Sequence, residues 1–259
     1  MSEDFQADFG RTVSDYSTHR AGFPPLLFDK LGERAIGADG QRILDLGTGT
    51  GTLARGFAMR GGRVTGLDPS AQMIEGARAL DREAGVTVDY VVAGAESTGL
   101  PAASYDIVTA GQCWHWFDSP AAFAEVARLL VPGGRLVICH YDWLPLPGNM
   151  VEATEDLIRS HNPEWPYGGG TGFHSGRATG AAIAGYRDLE SFTYDLPQPY
   201  THQAWRGRIR ASAGVGGSLP EERVQAFDTA LAAELSSRFP EDPLSVPHRL
   251  FALIATRPA

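Results

Sequence analysis

The chain has 259 residues, 43% of them hydrophobic and 20% charged, an ordinary globular composition that excludes a disordered or fibrous class. Its formal net charge is −9 with no lysine or arginine block, which argues against nucleic acid as a partner. No apolar run approaches the roughly 18 residues of a membrane span, no basic start precedes an apolar stretch, and the two cysteines, Cys113 and Cys139, form no disulfide framework. A cytoplasmic location with two buried, reduced thiols is therefore the expectation.

Residues 42–46 read as a buried strand that runs into Gly47-Thr48-Gly49-Thr50-Gly51 and a helix near 51–60. Glycines at alternate positions permit a sharp turn and close approach of a ligand, and a helix start offers N–H donors. A dinucleotide fingerprint would place its third glycine at position 52, where this chain has Thr52. Asp45, two places before the first glycine, would repel a pyrophosphate and suits a positively charged group. The second strand, near 63–67, ends in Asp68-Pro69-Ser70 before a helix near 70–84, and a carboxylate at that tip is placed to accept from ribose hydroxyls.

A third strand near 87–92 leads to Gly94-Ala95-Glu96, and a fourth near 105–110 leads to Gly111-Gln112-Cys113-Trp114-His115-Trp116-Phe117-Asp118. Ligands of open α/β sheets bind beyond the carboxyl ends of strands, which singles out Gln112 and His115. Trp114, Trp116 and Phe117 read equally well as packing. Phe123, Val126, Ala127 and Leu130 keep helical spacing over 119–130, with Ser119-Pro120 as cap and first-turn proline and Val131-Pro132-Gly133-Gly134 as the stop. A fifth strand follows near 134–141. Alternating strands and helices imply a parallel sheet covered on both faces.

Residues 144–176 are rich in proline and glycine and carry Trp165, Tyr167 and Phe173, which reads either as a mobile lid with aromatic contacts or as a rigid irregular loop. Phe192, Tyr194 and Leu196 alternate with polar residues as in a half-exposed strand. On a helix, Trp205 and Ile209 share a face, and Arg206 and Arg210 form a neighbouring ridge. Such a guanidinium pair suits a carboxylate or phosphate, or else this acidic protein's own carboxylates. A helix over 220–238, opened by a capping box at Ser218 and Glu221, buries Val224, Phe227, Leu231 and Leu235 and is expected to cover the site. Leu250 to Ile254 are apolar on both faces, as in a central strand.

The patterns D-x-G-x-G-x-G at 45–51 and L-D-P-S-x-x-M-I at 67–74 resemble the class I S-adenosylmethionine-dependent methyltransferases. The resemblance is strongest to the type-11 small-molecule branch that includes ubiquinone, menaquinone and trans-aconitate-type enzymes, and it is specific over residues 41–141. It implies an α/β, Rossmann-like, doubly wound seven-stranded sheet whose last strand is antiparallel and lies between the fifth and sixth, with helical cap insertions. A single domain over 1–259 would comprise N-terminal cap helices (1–40), a cofactor-binding core (41–141) and substrate-covering insertions (142–185 and 197–240).

The same resemblance implies roles for individual residues. Asp45 would set the loop and face the aminopropyl end of the cofactor; Gly47, Thr48, Gly49 and Gly51 would line it. Asp68 and Pro69 would hold the ribose, and Met73 would pack near the adenine. Gly94 or Ala95 stands where the family often has an aspartate, so a backbone contact at Ala95 or Glu96 must substitute. Gln112 and His115 belong to a run similar to the family's x-H-W-F-D, and Tyr16 and Arg20 to a Y-x-x-x-R-x-x-x-P segment whose tyrosine and arginine approach the cofactor's carboxylate.

The implied function is transfer of a methyl group from S-adenosylmethionine to a small-molecule acceptor, leaving S-adenosylhomocysteine, with no nucleic acid and no membrane as partner. His115 is the base candidate, because imidazole titrates near neutrality; for a carboxylate acceptor it would only orient. Trp116, Trp165, Tyr167, Arg206 and Arg210 are candidate acceptor contacts. No metal is expected, since His115, His140, His161, His174, His202 and His248 are scattered singly in the sequence. A non-methylating S-adenosylmethionine enzyme such as a cyclase, or a cofactor-binding regulator, would keep the same motifs. A nicotinamide oxidoreductase is opposed by Thr52 and Asp45.

Overall fold

The structure, a computed structural model, describes residues 22–258, so Tyr16 and Arg20 lie outside it. The strands are β1 (Arg42–Leu46), β2 (Arg63–Asp68), β3 (Asp89–Val92), β4 (Tyr105–Gly111), β5 (Leu130–Trp143), β6 (Arg187–Tyr200) and β7 (Leu244–Thr256). The described helices are α1 (Pro25–Gly32), α2 (Thr52–Ala58), α3 (Ala71–Ala84), α4 (Ser119–Leu129), α5 (Met150–His161), α6 (Ser175–Ile183), α7 (His202–Arg210) and α8 (Glu221–Arg238). Among the described residues no helix is long and apolar enough to cross a membrane.

One sheet of seven strands has the order β3-β2-β1-β4-β5-β7-β6. β1 to β5 are parallel neighbours, and the order reverses at β1, between β2 and β4. The last strand runs the other way. Leu144 N–H donates to Pro247 O, and Arg257 N–H donates to Gly134 O, so residue numbers rise on β7 as they fall on β5. The insertion of β7 between β5 and β6 matches the apolar character of both its faces, while β6, at the edge, is exposed over most of its length.

By its contacts the chain divides into two compact units. The first comprises Gly22–Tyr141, His174–Tyr194 and Leu250–Ala259. Its core joins Leu44, Leu46 and Leu67 to Val108, Trp114, Phe123, Val126, Leu136, Ile138 and Phe251. Cys113 and Cys139 are buried here as free thiols, donating to Leu46 O and Ala110 O respectively. The second unit includes Asp142–Phe173 and Asp195–Arg249. It closes around Trp205, Ile209, Phe227, Leu231 and Leu235, with Met150, Ile158 and Trp165 from α5 and the loop after it.

Local chemistry departs from expectation in four places. Asp118, not Ser119, caps α4: its carboxylate accepts from Ala121 N–H at 3.3 Å, while the Ser119 hydroxyl accepts from the Trp114 indole at 3.1 Å. The fifth strand starts at Leu130, which pairs with Tyr105 before a register shift that spends the Pro132-Gly133-Gly134 turn as an irregularity inside the strand. The stretch 144–176 contains the helix α5, capped by Asn149, whose side chain accepts from Glu152 N–H. No capping box opens α8, because Ser218 is engaged elsewhere: its hydroxyl donates to Ala213 O and accepts from the Asn162 amide. Asn162 is buried, so its donors outrank a helix cap as claimants on that hydroxyl.

Candidate functional site

The loop between β1 and α2 is shaped from below by Asp45, which is 1% exposed. Its two oxygens accept from the hydroxyls of Thr48 and Thr109, each at 2.7 Å, and the Ala54 N–H in the first turn of α2 also donates to it. A polar residue in the apolar run Ile107-Val108-Thr109-Ala110 needs such a partner, and that was the signal available for Thr109. Asp45 thus fixes the loop from inside. Gly51, the residue before α2, has φ +76°, and a Cβ there would collide with the Tyr90 hydroxyl. At Gly47, φ +58°, a Cβ would stand 2.9 Å from Cys113. Both positions need glycine for conformation and for space.

Burial raises the Asp45 carboxyl to about 6, against an ordinary value of 3.8, although both threonine hydroxyls oppose the shift. The folded protein therefore holds this proton up to about pH 6, and the stability gained from holding it disappears as pH rises through that value. The difference amounts to about 3 kcal/mol, since each tenfold change in proton affinity is worth ~1.4 kcal/mol. Relative to Asp45→Asn, the wild type should lose stability of that order between pH ~4 and ~8, read by urea unfolding. Parallel pH profiles would refute this reading.

A brace beneath the loop was invisible in the sequence. Arg55 Nε pairs with Asp81 at 2.9 Å and Arg55 Nη2 donates to Thr50 O at 2.7 Å; Tyr90, on β3, donates to the other Asp81 oxygen at 2.8 Å. The Tyr90 ring also lies where a Cβ on Gly66 would stand 2.6 Å from it. One buried ion pair thereby ties the glycine loop, α3 and β3 into a rigid floor.

Asp68 ends β2 and is 8% exposed. Its oxygens accept from Gly49 N–H in the loop and from Ser70 N–H at the start of α3, each at 2.9 Å. A carboxylate has roughly four acceptor positions, so it can hold both backbone donors and still receive two hydroxyls. Burial pushes its carboxyl above the ordinary value, and the two backbone bonds oppose this. Ser70 caps α3 through Met73 N–H, and the Met73 side chain is 4% exposed; Pro69 is exposed.

Beyond β4, Gln112 adopts φ +60°, a left-handed conformation unusual for a non-glycine residue. Its N–H donates to Cys139 O and its side-chain amide to Tyr141 O, which fasten it to β5. Residues Trp114–Trp116 form a short 3-10 turn in which Trp114 is buried, His115 half-buried and Trp116 exposed. The His115 ring lies 4.7 Å from that of Trp116 and 6.2 Å from that of His140, centroid to centroid. Ala95 is buried, and Glu96 accepts from Asp118 N–H, joining the turn after β3 to the start of α4. The strand ends of the first unit thus bring together Asp45, Gly47, Thr48, Gly49, Gly51, Asp68, Gln112 and His115, all on β1, β2, β4 or the loops that follow them.

The remaining candidates belong to the second unit. Trp165 is 7% exposed, with its ring in that unit's core, whereas Tyr167 is 37% exposed. Arg206 and Arg210 both bind Asp228 on α8: Arg206 with Nε at 3.0 Å and with Nη2, Arg210 with Nη1 at 2.8 Å. Burial raises the Asp228 carboxyl, but the two guanidiniums outweigh it and hold it below its ordinary value. Both guanidiniums engage the same carboxylate.

A methyltransferase-domain family profile of type 11 matches residues 44–138, the segment that runs from within β1 into β5 and holds the loops just described. Residues 44–138 are thus a methyltransferase domain of the class I S-adenosylmethionine-dependent type. The chain is 38% identical over 162 residues to an uncharacterized methyltransferase of Mycobacterium tuberculosis, an alignment covering 60% of the chain and 63% of that relative. It is 37% identical over 114 residues to a ubiquinone biosynthesis O-methyltransferase of Pectobacterium atrosepticum, covering 43% and 47% of the two chains. It therefore spans less than two thirds of the length of these relatives. Among solved structures, one provisionally described as a type II methyltransferase from Anaeromyxobacter dehalogenans superposes with a TM-score of 0.59 at 27% identity, covering 92% of this chain and 96% of that one. The methyltransferase fold extends well beyond the matched segment.

Proposed function

We propose that the protein transfers the methyl group of S-adenosylmethionine to an acidic small molecule. The observation that carries the cofactor half of this reading is Asp68, whose carboxylate holds the glycine loop through Gly49 N–H and stands at the tip of β2 with acceptor capacity to spare. The residues fit the group. A polar carboxylate suits a ribose diol, and a rigid loop of left-handed glycines lets backbone approach closely.

When bound, the cofactor supplies an already activated methyl on a sulfonium. The protein's share is alignment and exclusion of water. Asp68 fixes the ribose, the Asp45-shaped loop fixes the chain that carries the sulfonium, and Gln112 and His115 border the acceptor. His115 takes a proton when the acceptor carries one on its reacting atom; for a carboxylate acceptor it orients only.

Support for an acidic acceptor comes from Arg206 and Arg210, two guanidiniums on one helix that both engage a carboxylate, that of Asp228, with the fork geometry a carboxylate or phosphate acceptor would use. Arg206→Ala and Arg210→Ala should each raise the acceptor's KM by about tenfold while leaving S-adenosylmethionine binding unchanged, since a charged hydrogen bond contributes ~1.5 kcal/mol or more. The test follows methyl transfer from labelled S-adenosylmethionine to a panel of carboxylic acids, phosphates and their neutral esters. Equal kinetics for acid and ester would sink the acidic acceptor, and binding of nicotinamide cofactors without S-adenosylmethionine would sink the whole reading.

A further inference from the structure

Two histidines far apart in the sequence meet in the first unit. His140, on β5, is 2% exposed, and His174, the residue before α6, is half-buried. Their rings stack with centroids 3.7 Å apart and planes inclined by 20°. Each offers a ring nitrogen, and these nitrogens lie within 4.8 Å of one another. Phe251, from β7, stands edge-on to His174 at 5.3 Å and lies 6.4 Å from His140, so an apolar ring walls one side of the pair. We propose that His140 and His174 form a binding site for a divalent transition-metal ion of the zinc class.

The chemistry selects the ion. Neutral imidazole is a borderline-soft donor that suits zinc, nickel and copper, whereas magnesium and calcium require oxygen ligands. A zinc–nitrogen bond is about 2.0–2.1 Å, so at a tetrahedral angle the two nitrogens must stand roughly 3.4 Å apart, inside the 4.8 Å that bounds their separation here. The half-buried His174 makes the remaining adjustment by turning its ring, because His140 is fixed in the sheet. The His115 ring, 6.2 Å from His140, places the ion beside the residues that border the acceptor. Binding itself does not depend on the proposed methyl transfer.

The full chain without an affinity tag, stripped with chelator, should bind one equivalent of Zn²⁺ at micromolar concentrations by calorimetry. Co²⁺ in its place should give a visible absorption band from imidazole coordination. His174→Ala should weaken Zn²⁺ binding at least tenfold, as loss of a ligand demands, and His140→Ala should do the same. His161→Ala, in the second unit and outside the histidine pair, should bind as the wild type does, and a large excess of Mg²⁺ should not displace the ion. His174→Ala is half-buried and decides the matter even if His140→Ala does not fold. Undiminished Zn²⁺ binding by folded His174→Ala, displacement by Mg²⁺, or no binding by the wild type would each overturn the proposal.

Discussion

Replacing Asp68 with alanine is expected to weaken S-adenosylmethionine binding by roughly two to four orders of magnitude. Two ribose hydroxyls on a charged acceptor contribute on the order of 1.5–3 kcal/mol each, and ~1.4 kcal/mol is a factor of ten in affinity. The substitution also strips Gly49 N–H of its partner, so the loop loses the bond that holds it against the tip of β2. Asp68→Asn should sit between alanine and the wild type. It keeps one oxygen acceptor, but its amide group must face one of the two backbone donors, Gly49 N–H or Ser70 N–H. Calorimetry with S-adenosylmethionine and S-adenosylhomocysteine reads both effects. Binding by Asp68→Ala within a few-fold of wild type would remove Asp68 from the cofactor site and leave it as a loop anchor.

The second large effect is at His115. If the acceptor carries a proton on its reacting atom, His115→Ala should lower kcat by roughly 10² to 10⁴ and abolish the fall in rate on the acid side of the pH profile. Below the imidazole's pKa the base is charged and cannot accept a proton, so the wild-type rate drops with pH there; the variant has no such group to titrate. His115→Gln separates proton transfer from positioning, because an amide can still orient an acceptor by hydrogen bonding. Equal loss in both variants assigns proton transfer, and rescue by glutamine assigns orientation. Full activity with an unchanged profile in His115→Ala would reduce the residue to packing against Trp116.

The parts of the molecule that could be read from the sequence are those written in consecutive residues. Strand, glycine turn and helix start follow one another between Arg42 and Ala58, and period-2 or helical spacing marks most other elements. The central character of β7 was readable from hydropathy, because Leu250 to Ile254 have no polar face, whereas its place between β5 and β6 was implied by the family resemblance. Helix α5 was obscured by the prolines and glycines on both sides of it, although Asn149 and Glu152 already stood in capping-box spacing. The start of β5 was obscured by Pro132-Gly133-Gly134, a turn signal that the strand absorbs as a register shift.

Within the site the dividing line is again sequence distance. Asp45, Asp68 and the glycines belong to compact motifs. Thr109, the Arg55–Asp81–Tyr90 brace and the His140–His174 pair each depend on elements that only the sheet brings together. Arg206 and Arg210 show the converse. Their ridge on α7 was legible from spacing, but Asp228, on the following helix, could be found only once the two helices were packed.

The place of β7 bears on how the chain reaches this fold. β6 precedes β7 in the chain, yet among the described residues its one neighbour in the sheet is β7. Until residues 244–256 emerge from the ribosome, β5 presents an open hydrogen-bonding edge and β6 has nothing to join. The five parallel strands can assemble early, but completion of the sheet waits on pairings that are distant along the chain, the kind that slow folding. A synthesis pause or a truncation before Leu244 therefore exposes a sticky apolar edge at β5, and aggregation risk persists until β7 is paired.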